Sequence, residues 1–347
     1  MPFASSVVPL VSVLMPLYNG ALYLDEAVSS ILAQTFEDFE LIVVDDGSTD
    51  DGWEKLATYS DPRIVKVKRQ HAGLVPTLNH GLALARGGYV ARMDADDVAL
   101  PERLAEQVLY MESNPEIGLS SASLLFVDEA GRPVNARDVP TDDWEIRWEL
   151  LFENPFMHSA VILRRELLDG EGVAYDESYH RAEDYELWAR LLRRTRGGNI
   201  SKRLVRYRLH SASATAREHE AQMESHYRVA LRTIGEELPD IDITPEQVRD
   251  LELMLASETA GSAQLRGRRA QLARLYFSIY EAFRRRHPEM RGMPLRGAAK
   301  LARGLSYGRD EQGWASVMLR LVRQCPGLPL FALKQRISQV TTPTPVR

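Results

Sequence analysis

The residues best suited to carry chemistry are aspartates that follow two short apolar runs, each typical of a buried strand. Five residues share this placement: Asp45, Asp46, Asp94, Asp96 and Asp97. In an open α/β sheet the ligand lies outside the carboxyl ends of the strands, so we expect both clusters to line one crevice. Crowded carboxylates repel one another, and a divalent cation such as Mg²⁺ or Mn²⁺ bridging to phosphates would remove that repulsion. The alternative is that these aspartates only cap the helices that follow.

The elements that must position these aspartates alternate along the chain. Over the first hundred residues, β-rich runs alternate with helical periodicity, which indicates βαβ units and a parallel sheet. The predicted strands are residues 11–15, 40–44, 64–67 and 89–93, and the predicted helices are residues 22–33, 51–59, 76–85 and 101–112. We expect Gly87 and Gly88 to form the C-cap of the third helix.

The pattern changes after residue 115 but stays within the same fold class. Further strands are predicted at residues 117–127, 158–163 and 204–209, and further helices at residues 142–152 and 183–192. From residue 217 onward the periodicity is helical, with arginine-rich faces. The sequence therefore predicts an α/β domain over residues 1–216 and a helical, basic region over residues 217–347.

Composition indicates a globular protein of a reducing compartment. The chain has 347 residues, of which 44% are hydrophobic and 27% charged. Cys325 is the single cysteine, which excludes an intrachain disulfide and a cysteine-rich metal site. No run approaches the roughly 18 apolar residues of a membrane span. The first basic residue is Lys55, so the N-terminal segment lacks the positive region of a secretory signal, and we expect a cytoplasmic protein.

Charge is distributed unevenly along the chain. The net charge is −6, but residues 260–347 contain 17 Lys and Arg against 4 Asp and Glu, which leaves −19 for the rest of the chain. A basic helical tail is attracted to anionic lipid head groups or to nucleic acid, and no nucleic-acid-binding module accompanies the charge. We therefore expect a peripheral contact with an anionic membrane surface. The alternative is a helical appendage that packs on the α/β domain or on a second subunit, as in a homo-oligomer.

Five segments, taken in order, resemble the family 2 glycosyltransferases of GT-A fold. The segments are Pro16-Leu17-Tyr18-Asn19, residues 43–50, Asn79-His80-Gly81, residues 93–97, and Glu183-Asp184-Tyr185-Glu186-Leu187-Trp188. The resemblance covers roughly residues 8–215, and it is to the bacterial enzymes of cell-surface polysaccharide synthesis. It implies an α/β fold in which helices flank a mixed, Rossmann-like nucleotide-binding sheet, here followed by a C-terminal helical extension.

The resemblance also implies a binding site for a nucleotide-sugar donor. The implied donor-binding residues are Pro16, Tyr18, Asn19, Asp45, Asn79, Asp94 and Ala95. Tyr18 matches a position where an aromatic ring stacks on the base. Asp45 matches the acceptor of a hydrogen bond from the base N3–H, a donor that uracil and thymine have and cytosine lacks. A UDP-sugar is therefore the favoured donor, and a dTDP-sugar is the alternative.

The metal ligands follow from the same resemblance. Asp94 and Asp96 match the DxD motif, with Asp94 near the ribose or the metal and Asp96 the direct ligand of Mn²⁺ or Mg²⁺. His210 follows the predicted strand over residues 204–209, where the family places a histidine that reaches the metal or the diphosphate. A neutral imidazole in an oxygen-rich site suits Mn²⁺.

The catalytic base is implied at the start of the helix predicted from residue 183. Asp184 matches the acidic residue that takes the proton of the acceptor hydroxyl, with Glu183 as a second candidate, and the alternative is a carboxylate that only stabilises the helix N-terminus. Trp188 lies one turn later on the same face, where its indole would form a wall of the acceptor pocket. Packing of Trp188 in the core is the alternative.

These residues together imply a metal-dependent, inverting glycosyltransferase. By direct displacement it would move a sugar, of hexosyl type, from a UDP-sugar to a glycan or lipid-linked glycan. The alternative is a glycosyltransferase-like binding or scaffold protein at the membrane surface that performs no chemistry. A nucleotidyltransferase would need a glycine-rich phosphate loop after the first strand, and residues 16–20 do not supply one.

Overall fold

The computed structural model describes residues 8–169, 175–179, 181–210, 219–256, 263–307 and 313–325. The chain divides into two compact units. The first comprises Met1–Arg147 and Asn154–Val229, and the second comprises Trp148–Glu153 and Ala230–Arg347. The division therefore falls between residues 229 and 230, compared with the predicted boundary between residues 216 and 217.

The first unit is built on a seven-stranded mixed sheet. Its strands are β1 (Val11–Leu17), β2 (Phe39–Asp45), β3 (Ile64–Lys68), β4 (Tyr89–Arg92), β6 (Ile117–Ser120), β9 (Ile162–Arg164) and β10 (Arg196–Gly197), in the order β10-β6-β9-β4-β1-β2-β3. Strands β3, β2, β1 and β4 are parallel, and β9 runs antiparallel to both β4 and β6. The parallel βαβ half of the prediction is confirmed.

Helices follow the parallel strands as the periodicity predicts. They are α1 (Leu24–Leu32), α2 (Gly52–Thr58), α3 (Leu74–Leu84) and α4 (Arg103–Ser113). Every residue of β1 and β2 is buried, as expected for central strands of a sheet that is covered on both faces. The carboxyl ends of β1, β2 and β4 therefore come to one edge of the sheet, where the motif residues lie.

The first unit also contains a second, four-stranded sheet, which the sequence did not predict. It consists of β5 (Val98–Ala99), β7 (Ala122–Val127), β8 (Pro133–Arg137) and β11 (Ile200–Arg208), in the order β5-β11-β7-β8. The single strand predicted over residues 117–127 is wrong, because β6 belongs to the first sheet and β7 to the second. The chain changes sheets at Ser121, whose backbone N–H donates to Oδ1 of Asn199 over 2.7 Å.

Two local predictions also need correction. Residues 158–163 form a short 3₁₀ helix, His158–Ala160, before strand β9, instead of one strand. Helix α3 ends at Leu84 with Ala85 as its C-cap, so Gly87 and Gly88 are not the cap. Gly87 is needed for a different reason, since a Cβ there would lie 2.6 Å from the backbone nitrogen of Ser12 in β1.

The first unit also contains the helix that carries the catalytic candidates, α6 (Glu183–Leu191), which was predicted at residues 183–192. Helix α5 (Asp143–Leu150) begins in the first unit and ends in the second, and α7 (His219–Glu237) does the same.

The second unit is helical, as predicted. It continues with α8 (Pro245–Leu255), α9 (Arg269–Arg286), α10 (Leu295–Ser306) and α11 (Trp314–Gln324). Helix α8 begins with a capping box, in which Thr244 and Gln247 bond each other's backbone N–H, and Pro245 occupies the first turn. Trp148 packs edge-on against Tyr276, Tyr280 and Phe283 of α9. Among the described helices, none has both the length and the apolar character needed to cross a membrane.

Candidate active site

An acidic loop follows β4 and forms the densest cluster of carboxylates in the first unit. One oxygen from each of Asp94, Asp96 and Asp97 lies within 4.8 Å of the other two. Burial, followed by the charge of Asp94, raises the pKa of Asp96 and raises that of Asp97 well above its ordinary value. The DxD motif names only Asp94 and Asp96, whereas the clustering of aspartates in the sequence already included Asp97.

Hydrogen bonds from two other elements fix the shape of this loop. The backbone N–H of Arg208, at the end of β11, donates to Oδ1 of Asp97 over 2.8 Å, and its guanidinium donates to the carbonyl of Asp96 over 3.0 Å. Ser159 donates its hydroxyl to Oδ2 of Asp94 over 2.7 Å, and Arg92 forms an ion pair with the same oxygen.

The residues of this loop fit a divalent cation. Oδ2 of Asp97 is buried and has no hydrogen-bond partner among the described residues. Three carboxylates whose like charges are crowded in a poorly solvated loop form an oxygen donor set of the kind that Mg²⁺ and Mn²⁺ prefer. Asp94, Asp96 and Asp97 are therefore the residues that would hold the ion.

His210 lies beside the acidic loop, as its sequence position predicts. Its Nε2 is 2.9 Å from Oδ2 of Asp96, and its ring contacts that of Tyr23 at 5.3 Å between centroids. Within the described part of the chain, the compact group of potential ligand atoms contains the three aspartates and not His210. The geometry makes His210 a hydrogen-bond partner of Asp96, and direct ligation of a metal by His210 stays a prediction.

The loops after β1 and β2 are joined to each other by short polar contacts. Asn19, which has a positive φ of 51°, accepts from the backbone N–H of Thr49 through Oδ1 over 2.8 Å. Its own N–H donates to Oγ of Ser48 over 3.0 Å. The side-chain oxygen of Asn19 is thus occupied in shaping the two loops, and Pro16 is buried within β1.

Asp45 ends β2 with one satisfied and one unsatisfied oxygen. Its Oδ1 accepts from the backbone N–H and the hydroxyl of Ser48. Its Oδ2 is buried without a hydrogen-bond partner among the residues that the structure describes. An unpartnered carboxylate oxygen of this kind is costly unless a ligand supplies a donor.

Tyr18 and His71 form a stacked pair at the same edge of the sheet. Their ring centroids are 4.2 Å apart at an interplanar angle of 19°, and Tyr18 is 48% exposed. Asp46 holds the loop of His71 by accepting from the backbone N–H groups of Ala72 and Gly73 over 3.0 and 2.8 Å. Gly47 (φ 73°) is required beside it, because a Cβ would lie 2.8 Å from the backbone nitrogen of His71.

Two predicted donor-binding residues have structural contacts instead. The side chain of Asn79 exchanges two hydrogen bonds of 2.9 Å with the backbone N–H and carbonyl of Tyr175, so its amide holds that segment in place. The methyl group of Ala95 is 9% exposed and belongs to the core under the sheet. Ala95 can therefore contribute to a donor site only through its backbone.

The first turn of α6 carries the two candidate bases. Asp184 accepts from the side-chain amide of Asn154 through Oδ2 over 2.9 Å. Burial, and then the neighbouring Glu183, raise the pKa of Asp184 to about 7. Glu183 is 5% exposed, and burial raises its pKa as well. A carboxylate with a pKa near neutrality is matched to accepting a proton at physiological pH.

A buried aromatic cluster supports Asp184 from the side. Nδ1 of His158 lies 3.8 Å from Oδ2 of Asp184, and Nε2 of His158 bonds the hydroxyl of Tyr175 at 2.9 Å. Burial and the charge of Arg92 lower the pKa of His158 well below its usual value, so the imidazole is neutral. Trp188 is fully buried against His158 and Tyr175. We predicted that the indole of Trp188 forms a wall of an acceptor pocket, but its ring is buried in the core instead.

Arg92 connects the acidic loop to the base. This guanidinium is buried in β4 and contacts Asp94 directly. Its positive charge also offsets part of the rise that burial causes in the pKa values of Glu183 and Asp184. Asp94 in turn raises the pKa of Glu183. The charges of the acidic loop after β4 and of the two carboxyl groups at the start of α6 therefore influence each other. A lone arginine in an otherwise apolar strand was the sequence signal for this role, since a buried cation needs an anionic partner.

A mixed sheet with an acidic loop after one of its parallel strands and a buried carboxyl group nearby is typical of the GT-A fold of glycosyltransferases. The S. aureus TarS fragment 1–349, solved in complex with UDP-GlcNAc, has a TM-score of 0.57 at 20% identity, covering 88% of this chain and 90% of that one. The same fragment in complex with UDP gives a TM-score of 0.54. The GT-A fold predicted from the motifs is confirmed.

Sequence comparisons assign the family. The family model described as Glycosyl transferase family 2 matches residues 12–160. An uncharacterized glycosyltransferase of Haemophilus influenzae is 32% identical over 257 residues, which cover 71% of this chain and 80% of that protein. The amylovoran biosynthesis glycosyltransferase AmsE of Erwinia amylovora is 34% identical over 186 residues, 52% of this chain and 69% of AmsE. The chain belongs to glycosyltransferase family 2 and is an enzyme.

Proposed function

We propose that this glycosyltransferase is metal-dependent and inverting, and that it moves a sugar from a UDP-sugar to a glycan or lipid-linked glycan. The donor assignment is carried by Oδ2 of Asp45, which is buried without a hydrogen-bond partner among the described residues, and by the exposed ring of Tyr18, which follows the register partner of Asp45 in β1. An N3–H of uracil would satisfy that oxygen while the base stacks on the tyrosine. A dTDP-sugar, whose base carries the same donor, is the second candidate.

The chemical step needs a base for the acceptor hydroxyl and neutralisation of the leaving group. Asp184, deprotonated above its raised pKa, takes the proton as the hydroxyl oxygen attacks the anomeric carbon. The bond from that carbon to the donor phosphate breaks as the new glycosidic bond forms, which inverts the configuration. A divalent cation held by Asp94, Asp96 and Asp97 supplies, when bound, stabilisation of the negative charge that develops on the diphosphate.

The acceptor class is supported by the relatives. AmsE is named for amylovoran biosynthesis, and WbnJ of Escherichia coli, 30% identical over 215 residues that cover 60% of this chain and 82% of WbnJ, for O-antigen biosynthesis. We therefore propose a role in polysaccharide biosynthesis, with a growing glycan or its lipid-linked form as the acceptor. The lone buried Cys325 supports a reducing, cytoplasmic location. The basic charge of residues 260–347 supports a peripheral position at the inner face of the cell membrane.

A thermal-shift panel tests the donor and the metal together. UDP, dTDP, GDP and CDP are each added with and without Mn²⁺ to the wild type and to Asp96→Ala. A ligand at about 100 times its Kd raises the free energy of unfolding by roughly 2.7 kcal/mol. The proposal expects UDP to stabilise the wild type strongly only with Mn²⁺, and Asp96→Ala to lose the metal-dependent part. Equal shifts with CDP and UDP would exclude the role of Asp45.

A further inference from the structure

Helices α9 and α11 of the second unit lie side by side and run in the same direction. Near the start of α11, a Cβ at Gly313 would lie 3.3 Å from the guanidinium of Arg274 in α9. Seven residues later, Arg320 forms an ion pair with Glu281 and lies 4.7 Å above the ring of Phe277. Between these two contacts each helix advances by the same number of residues, from 313 to 320 in α11 and from 274 to 281 in α9. The next turn of α11 therefore lies beside the next turn of α9.

That next turn gathers positive charge at the surface. It contains Arg284 and Arg285 at the end of α9 and Arg323 at the end of α11, and all three side chains are exposed. Among the described residues, the carboxylates that form ion pairs at this end are Glu281, which pairs with Arg320, and Glu237 and Glu289, which both pair with His287. The arginines outnumber the acids here, as they do over residues 260–347 as a whole.

Apolar side chains are exposed on the outer side of α11. Leu319 is 54% exposed and Val322 is 42% exposed. Val317 and Leu321, on the opposite side of the same helix, are buried. Leu319, Val322 and Arg323 fall within one outward-facing arc at 100° per residue. We call the set formed by Arg284, Arg285, Leu319, Val322 and Arg323 the α9–α11 face.

We propose that the α9–α11 face docks the enzyme onto a bilayer that contains anionic phospholipid. Exposed leucine and valine would enter the boundary between head groups and acyl chains while the flanking arginines pair with lipid phosphates. Charge complementarity favours this occupant, because the arginines cluster where the apolar side chains are exposed. The proposal goes beyond the glycosyl-transfer reaction, since docking requires neither donor nor metal and is measured without either.

Vesicle co-sedimentation of the full-length protein tests the docking. Vesicles of phosphatidylcholine alone are compared with vesicles containing 30% phosphatidylglycerol, a roughly physiological choice, at about 0.05 and 0.5 M salt, where Debye screening differs strongly. We expect binding to the anionic vesicles at low salt and its loss at high salt. Absence of binding to anionic vesicles at low salt overturns the proposal.

Two matched sets of variants locate the contact. Arg284→Gln, Arg285→Gln and Arg323→Gln combined should weaken the partition to anionic vesicles at least tenfold, since each arginine near the surface contributes about a fivefold factor. Leu319→Ser with Val322→Ser should weaken the partition to anionic vesicles at low salt too, because the exposed apolar side chains no longer enter the boundary between head groups and acyl chains. The control combines Arg132→Gln, Arg194→Gln and Arg206→Gln, three exposed arginines of the first unit, and should bind as the wild type does.

Two further readouts separate docking from other uses of the same face. All variants should keep the wild-type melting temperature and UDP shift, which shows that they fold and that the donor site is intact. If the control set loses vesicle binding as strongly as the α9–α11 set, the proposal is wrong. The proposal is also wrong if vesicles do not bind and the face has another occupant. A dimer seen by light scattering that the α9–α11 variants dissociate would identify a second copy of the chain. Binding of duplex DNA that these variants abolish would identify nucleic acid.

Discussion

The side-chain amide of Asn154 donates a 2.9 Å hydrogen bond to Oδ2 of Asp184, thirty residues further along the chain. The same asparagine accepts from the backbone N–H of Phe156 over 3.0 Å, which fixes the orientation of its amide. Asn154 therefore presents a donor to the candidate base before any acceptor arrives. Such a hydrogen bond favours the charged form of the carboxylate and opposes the effect of burial.

The first prediction concerns the base itself. Asp184→Asn should reduce kcat by a factor of roughly 10² to 10⁴, the usual contribution of a general base, because an amide cannot take the acceptor proton. Donor binding should persist, since Asp184 lies outside the nucleotide loops. The measurement is a transfer assay with a UDP-sugar, alongside the UDP thermal shift. A variant with wild-type turnover would remove Asp184 from the mechanism.

The second prediction is the pH dependence of the reaction. Because burial and Glu183 raise the pKa of Asp184 to about 7, activity should rise with pH through that value and level off above it. Asn154→Ala removes a hydrogen bond to the charged form, so the acidic limb of the profile should move to higher pH. Asn135→Ala, on the exposed strand β8, is the control and should leave the limb in place. A limb that does not move in Asn154→Ala would show that this hydrogen bond does not tune the base.

The third prediction concerns stability, and its sign follows from the same pKa. The pKa of Asp184 in the folded protein lies above its ordinary value of 3.8, so between about pH 4 and 7 the folded state holds a proton that the unfolded state has lost. Stability therefore falls as the pH rises through this window. Asp184→Asn should be more stable than the wild type at pH 8, by at most about 4 kcal/mol, and no more stable near pH 4. Chemical denaturation at the two pH values measures the difference.

The positions of the principal candidate residues could be predicted because these residues occur in short local sequence patterns. Asp45, Asp94 and Asp96 directly follow strands whose apolar runs are easy to recognise, and parallel strands bring their carboxyl ends together. Asp184 begins a helix in a compact acidic motif. For these residues, the local pattern and the topology of the sheet lead to the same position.

The supporting residues could not be predicted because their partners are distant in sequence. Ser159 is 65 residues from Asp94, and Asn79 is 96 residues from Tyr175. Asn79 and Trp188 lie in motif segments, yet tertiary packing directs the first to a backbone and the second into the core. The division of residues 117–127 between two sheets likewise depends on long-range pairing, which a continuous apolar run does not reveal.

The fourth prediction is a change of base preference. Oδ1 of Asp45 accepts from Ser48, so in Asp45→Asn the amide oxygen should keep that contact and the NH₂ group should occupy the position of Oδ2. An NH₂ group repels the N3–H of uracil but can donate to N3 of cytosine, which is an acceptor. The UDP thermal shift should fall and the CDP shift should rise. Ser48→Ala serves as the control, since it weakens the support of Asp45 without exchanging an acceptor for a donor.

The fifth prediction distinguishes the two roles of His210. Nε2 of His210 is 2.9 Å from Oδ2 of Asp96, so His210 would support Asp96 if that carboxylate holds the metal as proposed. Loss of such a support typically weakens metal affinity or activity by about 10- to 100-fold. His210→Ala should therefore need more Mn²⁺ for half-maximal activity and recover much of kcat at saturating Mn²⁺, whereas Asp96→Ala should not recover. Pulsed EPR of bound Mn²⁺ should show no histidine nitrogen coupling in the wild type, and a coupling that disappears in His210→Ala would establish direct ligation instead.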